Sequence, residues 1–566
     1  MTLKKVKKQK TDNYSRFFLP FILIITAIVF ANMLGNDFID NWDDQVYVLN
    51  NEIIKQLNWK NLKVIFSSFY IGNYHPLTML SYAIEYKLFG LNPFPFHLTN
   101  YILHLLNVIL VYLFFKRFIG KSYVAAITSL FFALHPMHVE SVAWISERKD
   151  LLFTFFFLLS LNSYSKYLLI EKKISYLIWS FLWFFLSLLS KPAAVCLPLV
   201  LALMDFYHHK KVSWKTFISK IPFFALSFFF GILTVFAQRK TFYDPAFFFS
   251  FFDRVFLVSY SIGYYLFKVF VPFNLCALHY YPVKSGGLLP TEYYFALPVL
   301  LLLIWGVFKS GRFKHELIFG LLLYFITIAL ELQIIPVGQA IVSERYSYIP
   351  YIGIFFIFGQ FFSYVKDNEF SFSRKIRSIV SFVLVIFIVL YSFLTHERNK
   401  IWKNGEVLFT DVIEKYPEQG YGWLARGLSK SSKGDFEGAI ADYTITLQLK
   451  PTYNHLKAFC NRGISFMNLN RMDESFSDFN KAIKLDPKCA ETYFNRGSAY
   501  YKTGNYENAV SDFTKGLKIK LDPMAYYCRG FSKFSLNDKN GACSDWLLAQ
   551  QYGNLQAAGM LEMYCK

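Results

Sequence analysis

Long apolar runs are the feature that most constrains how this chain can fold. A helix of about 20 apolar residues crosses the roughly 30 Å of hydrocarbon in a bilayer, and such a helix satisfies its own backbone hydrogen bonds there. The chain therefore predicts an all-α polytopic membrane domain over residues 16–395. The twelve candidate spans, several of them short, lie at 16–34, 97–117, 122–134, 150–168, 174–190, 191–207, 217–237, 256–271, 293–308, 315–331, 346–365 and 376–394.

The basic residues indicate how these spans are oriented. Lysine and arginine cluster in short polar stretches at 4–10, 116–121, 171–173, 208–211, 309–314 and 373–377. Because cytoplasmic loops of membrane proteins are enriched in these residues, we predict a cytoplasmic basic tail at 1–15 and an external loop at 35–75. Everything after about residue 395 is expected outside as well. The formal net charge of +20 thus reflects topology, and no nucleic acid partner is expected.

The number of crossings is constrained by this charge pattern. Twelve full crossings would return the C-terminus to the cytoplasm, whereas the charged loops require an odd number. We therefore predict about 11 spans, with one segment in 238–290 re-entrant or interfacial.

The C-terminal part of the chain repeats itself. The motif "ARG" at 425–427 returns as "NRG" at 461–463 and 495–497 and as "CRG" at 528–530. Each unit reads as two helices, a short turn between them and a proline that ends the second helix. This pattern resembles the tetratricopeptide repeat, and it predicts an α-solenoid of about four repeats over 400–566. Such arrays form a concave groove, so a protein or peptide partner is expected there.

Three cysteines near the C-terminus are candidates for a disulfide. If the repeats are external, Cys528, Cys543 and Cys565 lie where disulfides persist. Their number leaves the pairing open. An equally simple alternative is that they are small buried residues in helix packing.

Polar patches between the spans carry the functional signal, because ionisable groups near a membrane are costly and usually have a use. The patches are "DFIDNWDD" (37–44), "NYHPLTMLSY" (73–82), "HPMHVESVAWISERKD" (135–150), "SKPAAV" (190–195) and the stretch 333–353. All five are predicted at the external face, so their side chains could meet in one site.

The residue types in these patches fit one reaction. The adjacent carboxylates Asp43 and Asp44 can accept a proton from an attacking hydroxyl. The cations Arg345, Lys191 and Arg148 can bind a phosphate through charged N–H donors. Together they predict transfer of a group from a lipid-linked phosphate to a hydroxyl, with charge building on the leaving phosphate. Each residue also has a structural alternative, such as a helix cap, an internal ion pair or a topological charge.

Further polar residues are expected to line the substrate pocket. They are His75, His135, His138, Glu140, Glu344 and Tyr346. The histidines and Glu140 could gather around a divalent ion, but no H-E-x-x-H motif is present. A divalent metal is therefore an alternative that we do not favour, and structural roles for the histidines remain open.

The patches, taken in order, resemble a known family. "WDD" (42–44), "HPLTMLSY" (75–82), "ALHPMHVESVAWISERKD" (133–150), "SKPAAV" (190–195) and "SERYSYIP" (343–350), followed by the repeats, are similar to the transmembrane and tetratricopeptide-repeat protein O-mannosyltransferases. The resemblance implies a GT-C type glycosyltransferase fold and an inverting transfer of a mannose-like sugar from a polyprenyl phosphate to protein hydroxyls. It also implies that Asp43 and Asp44 are catalytic, and that Arg345 and less directly Lys191 and Arg148 hold the donor phosphate.

The residue bias of the chain points to a prokaryotic member in a bacterial inner membrane, with undecaprenyl phosphate as a possible carrier in place of dolichyl phosphate. Two alternatives stay open. One is a GT-C enzyme that glycosylates a glycan or a lipid, and the other is a non-catalytic membrane scaffold that displays the repeats. The identity of the base, the sugar, the acceptor and the oligomeric state are not determined by the sequence.

Overall fold

A computed structural model describes residues 15–210, 214–238, 249–332, 340–367, 373–449 and 454–565. The chain forms two compact units, 1–404 and 405–566. The predicted tail at 1–15 lies almost wholly outside the described residues, as do 333–339 of the patch 333–353.

The first unit is built from helices. Their bounds are α1 Ser15–Phe30, α2 Glu52–Lys55, α3 Trp59–Ser67, α4 Pro76–Phe89, α5 Pro93–Phe118, α6 Ser122–Leu134, α7 Val139–Ala143, α8 Arg148–Leu169, α9 Ile174–Ser190, α10 Leu197–His209, α11 Trp214–Ile218, α12 Ile221–Gln238, α13 Phe251–Phe270, α14 Thr291–Lys309, α15 Lys314–Ile328, α16 Tyr351–Lys366 and α17 Arg374–Ile401. Each of the twelve predicted apolar runs falls on one of these helices.

The unit is an integral membrane domain. Among the described residues, seven helices are long and apolar enough to cross a bilayer, or eight if the bent pair Ser122–Leu134 and Pro136–Ala143 counts as one span. The shorter apolar helices α9 and α16 are further candidates. The predicted count of about 11 spans therefore stays a prediction.

Contacts at the helix ends show which ends lie together. Lys191, directly after α9, lies with its Nζ 2.6 Å from Asp150 in the first turn of α8. At the other end of α8, Tyr164 donates to Asp205 of α10 at 2.7 Å. His315, at the start of α15, lies 2.9 Å from a carbonyl of α10. The end that carries Lys191 is called the loop end below, because the loop 37–44 packs there.

Contacts at its two termini show what surrounds helix α13. Asp253, in its first turn, pairs at 2.8 Å with Lys284 in the loop that follows the helix. Near the other terminus, the carbonyl of Val269 lies 3.2 Å from the ring of His135, which follows α6. The re-entrant or interfacial segment expected within 238–290, and with it the odd number of crossings, stays a prediction.

The first and last long helices end side by side. Asn32 donates to the carbonyl of His396 at 3.0 Å, and Asn399 donates to the carbonyl of Val29 at 3.2 Å. Helices α1 and α17 therefore run in the same direction. The chain leaves the first unit at the loop end, as the charge pattern predicts.

A small antiparallel ladder orients the second half of the loop end. Strand β1, His279–Tyr280, pairs with β2, Ala340–Val342, with His279 opposite Val342. The ladder leads directly into the turn Glu344–Ser347, so it fixes where the side chains of that turn emerge.

The second unit is a stack of helix pairs. The helices are α18 Gly405–Lys415, α19 Gly420–Ser432, α20 Phe436–Gln448, α21 His455–Asn468, α22 Met472–Leu485, α23 Ala490–Lys502, α24 Tyr506–Ile519, α25 Pro523–Ser535, α26 Lys539–Gln551 and α27 Gln556–Tyr564. The paired helices approach closely at glycines. A Cβ at Gly427 would lie 2.6 Å from the Tyr443 ring, and one at Gly530 would lie 2.6 Å from the Trp546 ring. The predicted repeat solenoid is confirmed.

Each repeat is held by a buried arginine–aspartate pair that the motif did not reveal. The arginine of each "RG" dipeptide bonds through two nitrogens to an aspartate 16 residues later. The pairs are Arg426–Asp442, Arg462–Asp478, Arg496–Asp512 and Arg529–Asp545. The arginine also reaches the previous repeat, as Arg462 does by donating to Thr444 at 2.8 Å.

Two of the cysteines in the repeats form a disulfide, and the other three are free thiols. Cys543 bonds to Cys565 and joins α26 to the residue that follows α27. Cys528 is free, so of the three candidates it is the one outside the pair.

We expect Arg462→Leu to lower the free energy of unfolding of the repeats by about 3 kcal/mol. The change leaves Asp478 charged and nearly fully buried, with only the exposed Lys481, 3.8 Å away, as a cation nearby. Urea unfolding of residues 405–566 measures the loss. Arg471→Leu, at an exposed arginine paired with Glu474, is the matched control and should cost less than about 1 kcal/mol. Equal losses would contradict the buried-pair account.

Single cysteines test the topology. Glu52→Cys and Val283→Cys, both at exposed positions, should react with a membrane-impermeant thiol reagent from one side. Lys173→Cys, in an exposed loop at the opposite end, should react from the other. Labelling of Val283→Cys together with Lys173→Cys would show that α13 crosses the membrane.

Candidate active site

Asp44 is a buried anchor of the loop 37–44. One carboxylate oxygen accepts the amide hydrogen of Ile39 at 2.9 Å. The other accepts both the amide, at 2.9 Å, and the hydroxyl of Ser146. The side chain has no exposed surface, and burial raises its pKa to about 6. Asp44 therefore fastens the loop to the turn Ile145–Glu147, with both carboxylate oxygens hydrogen-bonded.

Asp43 is the open carboxylate of the pair. Its side chain is 30% exposed, and its nearest charged partner is the Nζ of Lys149 at 3.6 Å. A carboxylate that is accessible, next to a fixed cation, can accept a proton from an incoming hydroxyl. The two adjacent aspartates thus have different environments.

A buried ion network links Asp43 to the cations. Lys149 contacts Asp43 and lies 3.0 Å from Glu147, and Glu147 lies 3.4 Å from the Nε of Arg345. Burial alone would raise the pKa of Glu147, but Lys149 and Arg345 lower it to about 2. The carboxylate is therefore ionised and holds both cations at the same end of the unit.

Arg345 and Lys191 converge on one aromatic ring. The Arg345 guanidinium lies 4.8 Å, and the Lys191 ammonium 5.7 Å, from the centre of the Tyr346 ring. The two cations are 18% and 17% exposed. Carboxylates already balance them, since Arg345 pairs with Glu140 and Lys191 lies 3.2 Å from Glu331. Both cations still present an open side.

The expected phosphate-binding role of Arg148 is not supported by its position. The guanidinium is fully buried and bonds to Glu85 at 3.0 Å, to the carbonyl of Phe96 at 2.7 Å, and to Asn100. With its donors used and no exposed surface, Arg148 is a structural residue that ties α8 to α4 and α5.

His75 lies at the site with two unsatisfied ring nitrogens. The imidazole is only 2% exposed, and neither nitrogen has a hydrogen-bond partner among the described residues. Its ring packs edge-on against the Tyr47 ring, with 5.1 Å between the ring centres. The ammonium of Lys149 lies 5.2 Å from the centre of the Tyr47 ring. Burial lowers the pKa of His75 to about 3, so the imidazole is neutral, and it can both donate and accept a hydrogen bond.

His135 and His138 belong to the core and not to the pocket predicted for them. Both are fully buried among aromatic rings such as Tyr351 and Phe355. His135 contacts the carbonyl of Val269 and His138 that of Phe132 at 2.8 Å. Among the described residues no three His, Cys, Asp or Glu side chains are arranged to hold a metal ion.

The two predicted pocket glutamates position their neighbours. Glu140 is buried and bonds to both the backbone amide and the guanidinium of Arg345. Glu344 is buried against Arg398 of α17, with 2.9 Å between Oε1 and the guanidinium. Neither carboxylate is exposed, so each holds its arginine in place and does not itself line the pocket.

Two residues of the site were not singled out from the sequence. Glu147 and Trp144 lie in the same patch as Arg148, and Trp144 stacks on Trp42 at 4.2 Å. A signal was present, because "SER" occurs twice, at 146–148 and 343–345. In each copy the serine–glutamate–arginine unit forms a turn at the loop end.

Family models match both parts of the chain. Residues 75–237 match a model described as dolichyl-phosphate-mannose-protein mannosyltransferase. Residues 463–504 and 490–522 match tetratricopeptide-repeat models.

Curated proteins are similar to most of the chain. The chain is 25% identical over 456 residues to protein O-mannosyl-transferase F38B6.6 of Caenorhabditis elegans, covering 77% of this chain and 63% of that protein. It is 24% identical over 524 residues to human protein O-mannosyl-transferase TMTC3, covering 83% of this chain and 55% of that protein. The chain thus spans less than two thirds of the length of these relatives.

A solved structure of ArnT from Cupriavidus metallidurans bound to undecaprenyl phosphate is similar at 12% identity, with a TM-score of 0.37, covering 84% of this chain and 80% of that one.

The polytopic all-α membrane domain followed by a repeat solenoid, predicted from the sequence, is confirmed. The matched family models and the curated relatives support the resemblance of this chain to protein O-mannosyl-transferases in which a membrane module is followed by tetratricopeptide repeats.

Proposed function

We propose that this chain is a membrane glycosyltransferase that moves a mannose-like sugar from a polyprenyl phosphate to serine or threonine hydroxyls of a protein. The observation that carries the proposal is the contact chain from Asp43 through Lys149 and Glu147 to Arg345, with steps of 3.6, 3.0 and 3.4 Å. It joins an accessible carboxylate to a cation at one end of a membrane domain. A lipid-borne sugar and a hydroxyl could meet there.

Asp43 is the general base in this mechanism. Its carboxylate takes the proton of the acceptor hydroxyl as the oxygen attacks the anomeric carbon of the sugar. The new carbon–oxygen bond forms as the bond to the phosphate breaks, so the anomeric centre inverts. Asp44 acts as a positioning residue, because its oxygens are already bonded to Ile39 and Ser146.

Arg345 and Lys191 stabilise the leaving polyprenyl phosphate. Fixed cations aimed at the atoms where charge develops are an effective form of transition-state stabilisation. Their carboxylate partners hold them in place before the donor arrives, so no reorganisation is needed at the moment of transfer. His75 and Tyr346 line the space in which the sugar would lie.

The repeats present the protein acceptor in this proposal. The chain leaves the membrane unit at the loop end, since the amide of Asp37 donates to the carbonyl of Lys403 at 2.8 Å. The location of the repeats on the external face of a bacterial inner membrane follows the positive-inside pattern.

Asp43→Asn should lower kcat by about 10²–10⁴-fold, because the amide cannot accept the hydroxyl proton. The measurement is sugar transfer from a synthetic polyprenyl-phosphate mannose to peptides derived from exported proteins, with purified protein in lipid nanodiscs. Asp37→Asn, at an exposed position of the same loop, is the matched control and should retain activity.

Asp44→Asn separates the two aspartates. We expect a lower melting temperature, since one amide hydrogen would oppose a backbone donor, and a smaller loss of kcat than in Asp43→Asn. The reverse order would move the base to Asp44. Full activity of both variants would favour a scaffold without catalysis.

Lys191→Met should lower kcat by roughly 10²-fold through loss of charge at the leaving phosphate, and Lys191→Arg should restore part of it. Steady-state transfer with the same donor measures both. Lys173→Met removes an exposed lysine from the opposite end and should have no effect. An unchanged rate in Lys191→Met would remove this residue from the donor site.

A further inference from the structure

The last turns of α17 contact both halves of the candidate site. The carbonyl of Asn399 accepts a hydrogen bond from Asn36 at 3.4 Å, which secures the chain entering the loop 37–44. One residue earlier, Arg398 pairs with Glu344, the neighbour of Arg345. A single helix end therefore holds the segment that carries the base and the segment that carries a donor cation.

Trp402 forms the centre of this contact. Its side chain is fully buried, and its ring lies 5.6 Å from that of Trp144 and 6.4 Å from that of Trp42. Trp42 directly precedes Asp43 in the chain and stacks on Trp144 at 4.2 Å. The three indoles form one stack that reaches from α17 to the residue beside the proposed base.

The same stack also reaches the cations. Lys149 lies 5.7 Å and Arg345 5.6 Å from the centre of the Trp144 ring. Cations are attracted to indole faces, so a shift of Trp144 would displace both. Stacked aromatic rings are stabilised beyond the area they bury, which gives the three tryptophans a defined mutual geometry.

We infer that the end of α17, residues 396–403, is a positioning element for the transfer reaction, with Trp402 as its central residue. Trp402 touches neither substrate nor reacting atoms. It acts through Trp42 and Trp144, which set the distance between Asp43 and the cations. Because misplacement by about 1 Å costs on the order of 10²-fold in rate, a residue outside the pocket can control kcat.

This inference rests on the proposed function for its kinetic part only. If Trp402 merely fills the core, its replacement reduces the amount of folded protein and leaves the rate per folded molecule unchanged. If it positions the loop, its replacement changes both the rate and the local stability of 37–44. Hydrogen exchange of that segment reports the second effect without any activity assay.

The experiment compares Trp402→Ala, Trp402→Phe and the control Phe393→Ala in full-length protein in nanodiscs. Phe393 lies on the same helix and is 61% exposed. In Trp402→Ala we expect faster exchange at 37–44, a changed near-ultraviolet circular dichroism signal from the stacked indoles, and a kcat lower by roughly ten- to a hundred-fold with little change in the donor KM. Trp402→Phe should recover part of each, and Phe393→Ala should match the wild type.

Unchanged exchange at 37–44 in Trp402→Ala would overturn the inference, and so would an unchanged kcat per folded molecule. Should that variant fail to fold, Arg398→Lys, which keeps the charge but loses the paired contacts to Glu344, gives the same comparison for the other half of the site. If the wild type shows no transfer at all, the proposed function fails, while the exchange measurement still decides whether α17 holds the loop.

Discussion

Glu147 is a buried carboxylate shared by two cations, and the arrangement of the loop end depends on it. Lys149 and Arg345 come from segments almost 200 residues apart, and each is placed by contact with this one side chain. A buried charge that loses its partner costs several kcal/mol, so the three groups stabilise one another only as a set. The open carboxylate of Asp43 is the accessible end of that set.

Charge balance around the cations shapes what the site can bind. Lys191 and Arg345 each face two carboxylates, so their charge is largely compensated before any donor arrives. A free phosphate would find little net attraction. Affinity for a lipid-borne sugar would then come mainly from the hydrocarbon chain and the sugar, and the cations would act chiefly as the leaving group gains charge.

Much of the architecture could be read from the sequence, because membrane helices and repeats leave periodic signals. The length of the apolar runs predicted the helices, and the spacing of the "RG" dipeptides predicted the solenoid. The arginine in that dipeptide carried a second signal, a buried pair with an aspartate 16 residues later, which becomes visible only when the two helices pack.

The site was predicted less completely, since charge type does not reveal burial. Arg148 and Arg345 stand in the same "SER" context, yet the first is enclosed by Glu85, Phe96 and Asn100 and the second has an open side. His135 and His138 lie in a polar patch but face an aromatic core. The division between Asp43 and Asp44 depends on Ser146, a contact across 102 residues that no local pattern encodes.

The arginine pairs of the solenoid make it extensible. Each arginine–aspartate pair lies within one repeat. The same arginine also donates a hydrogen bond to a residue of the preceding repeat, as Arg529 does to Thr514 at 3.0 Å. A new repeat inserted between two existing ones would contain its own arginine–aspartate pair. It would also supply a hydrogen-bond acceptor for the arginine of the following repeat. Evolution could therefore lengthen or shorten the array by whole units, tuning its reach, while leaving the chemistry at the membrane unaltered.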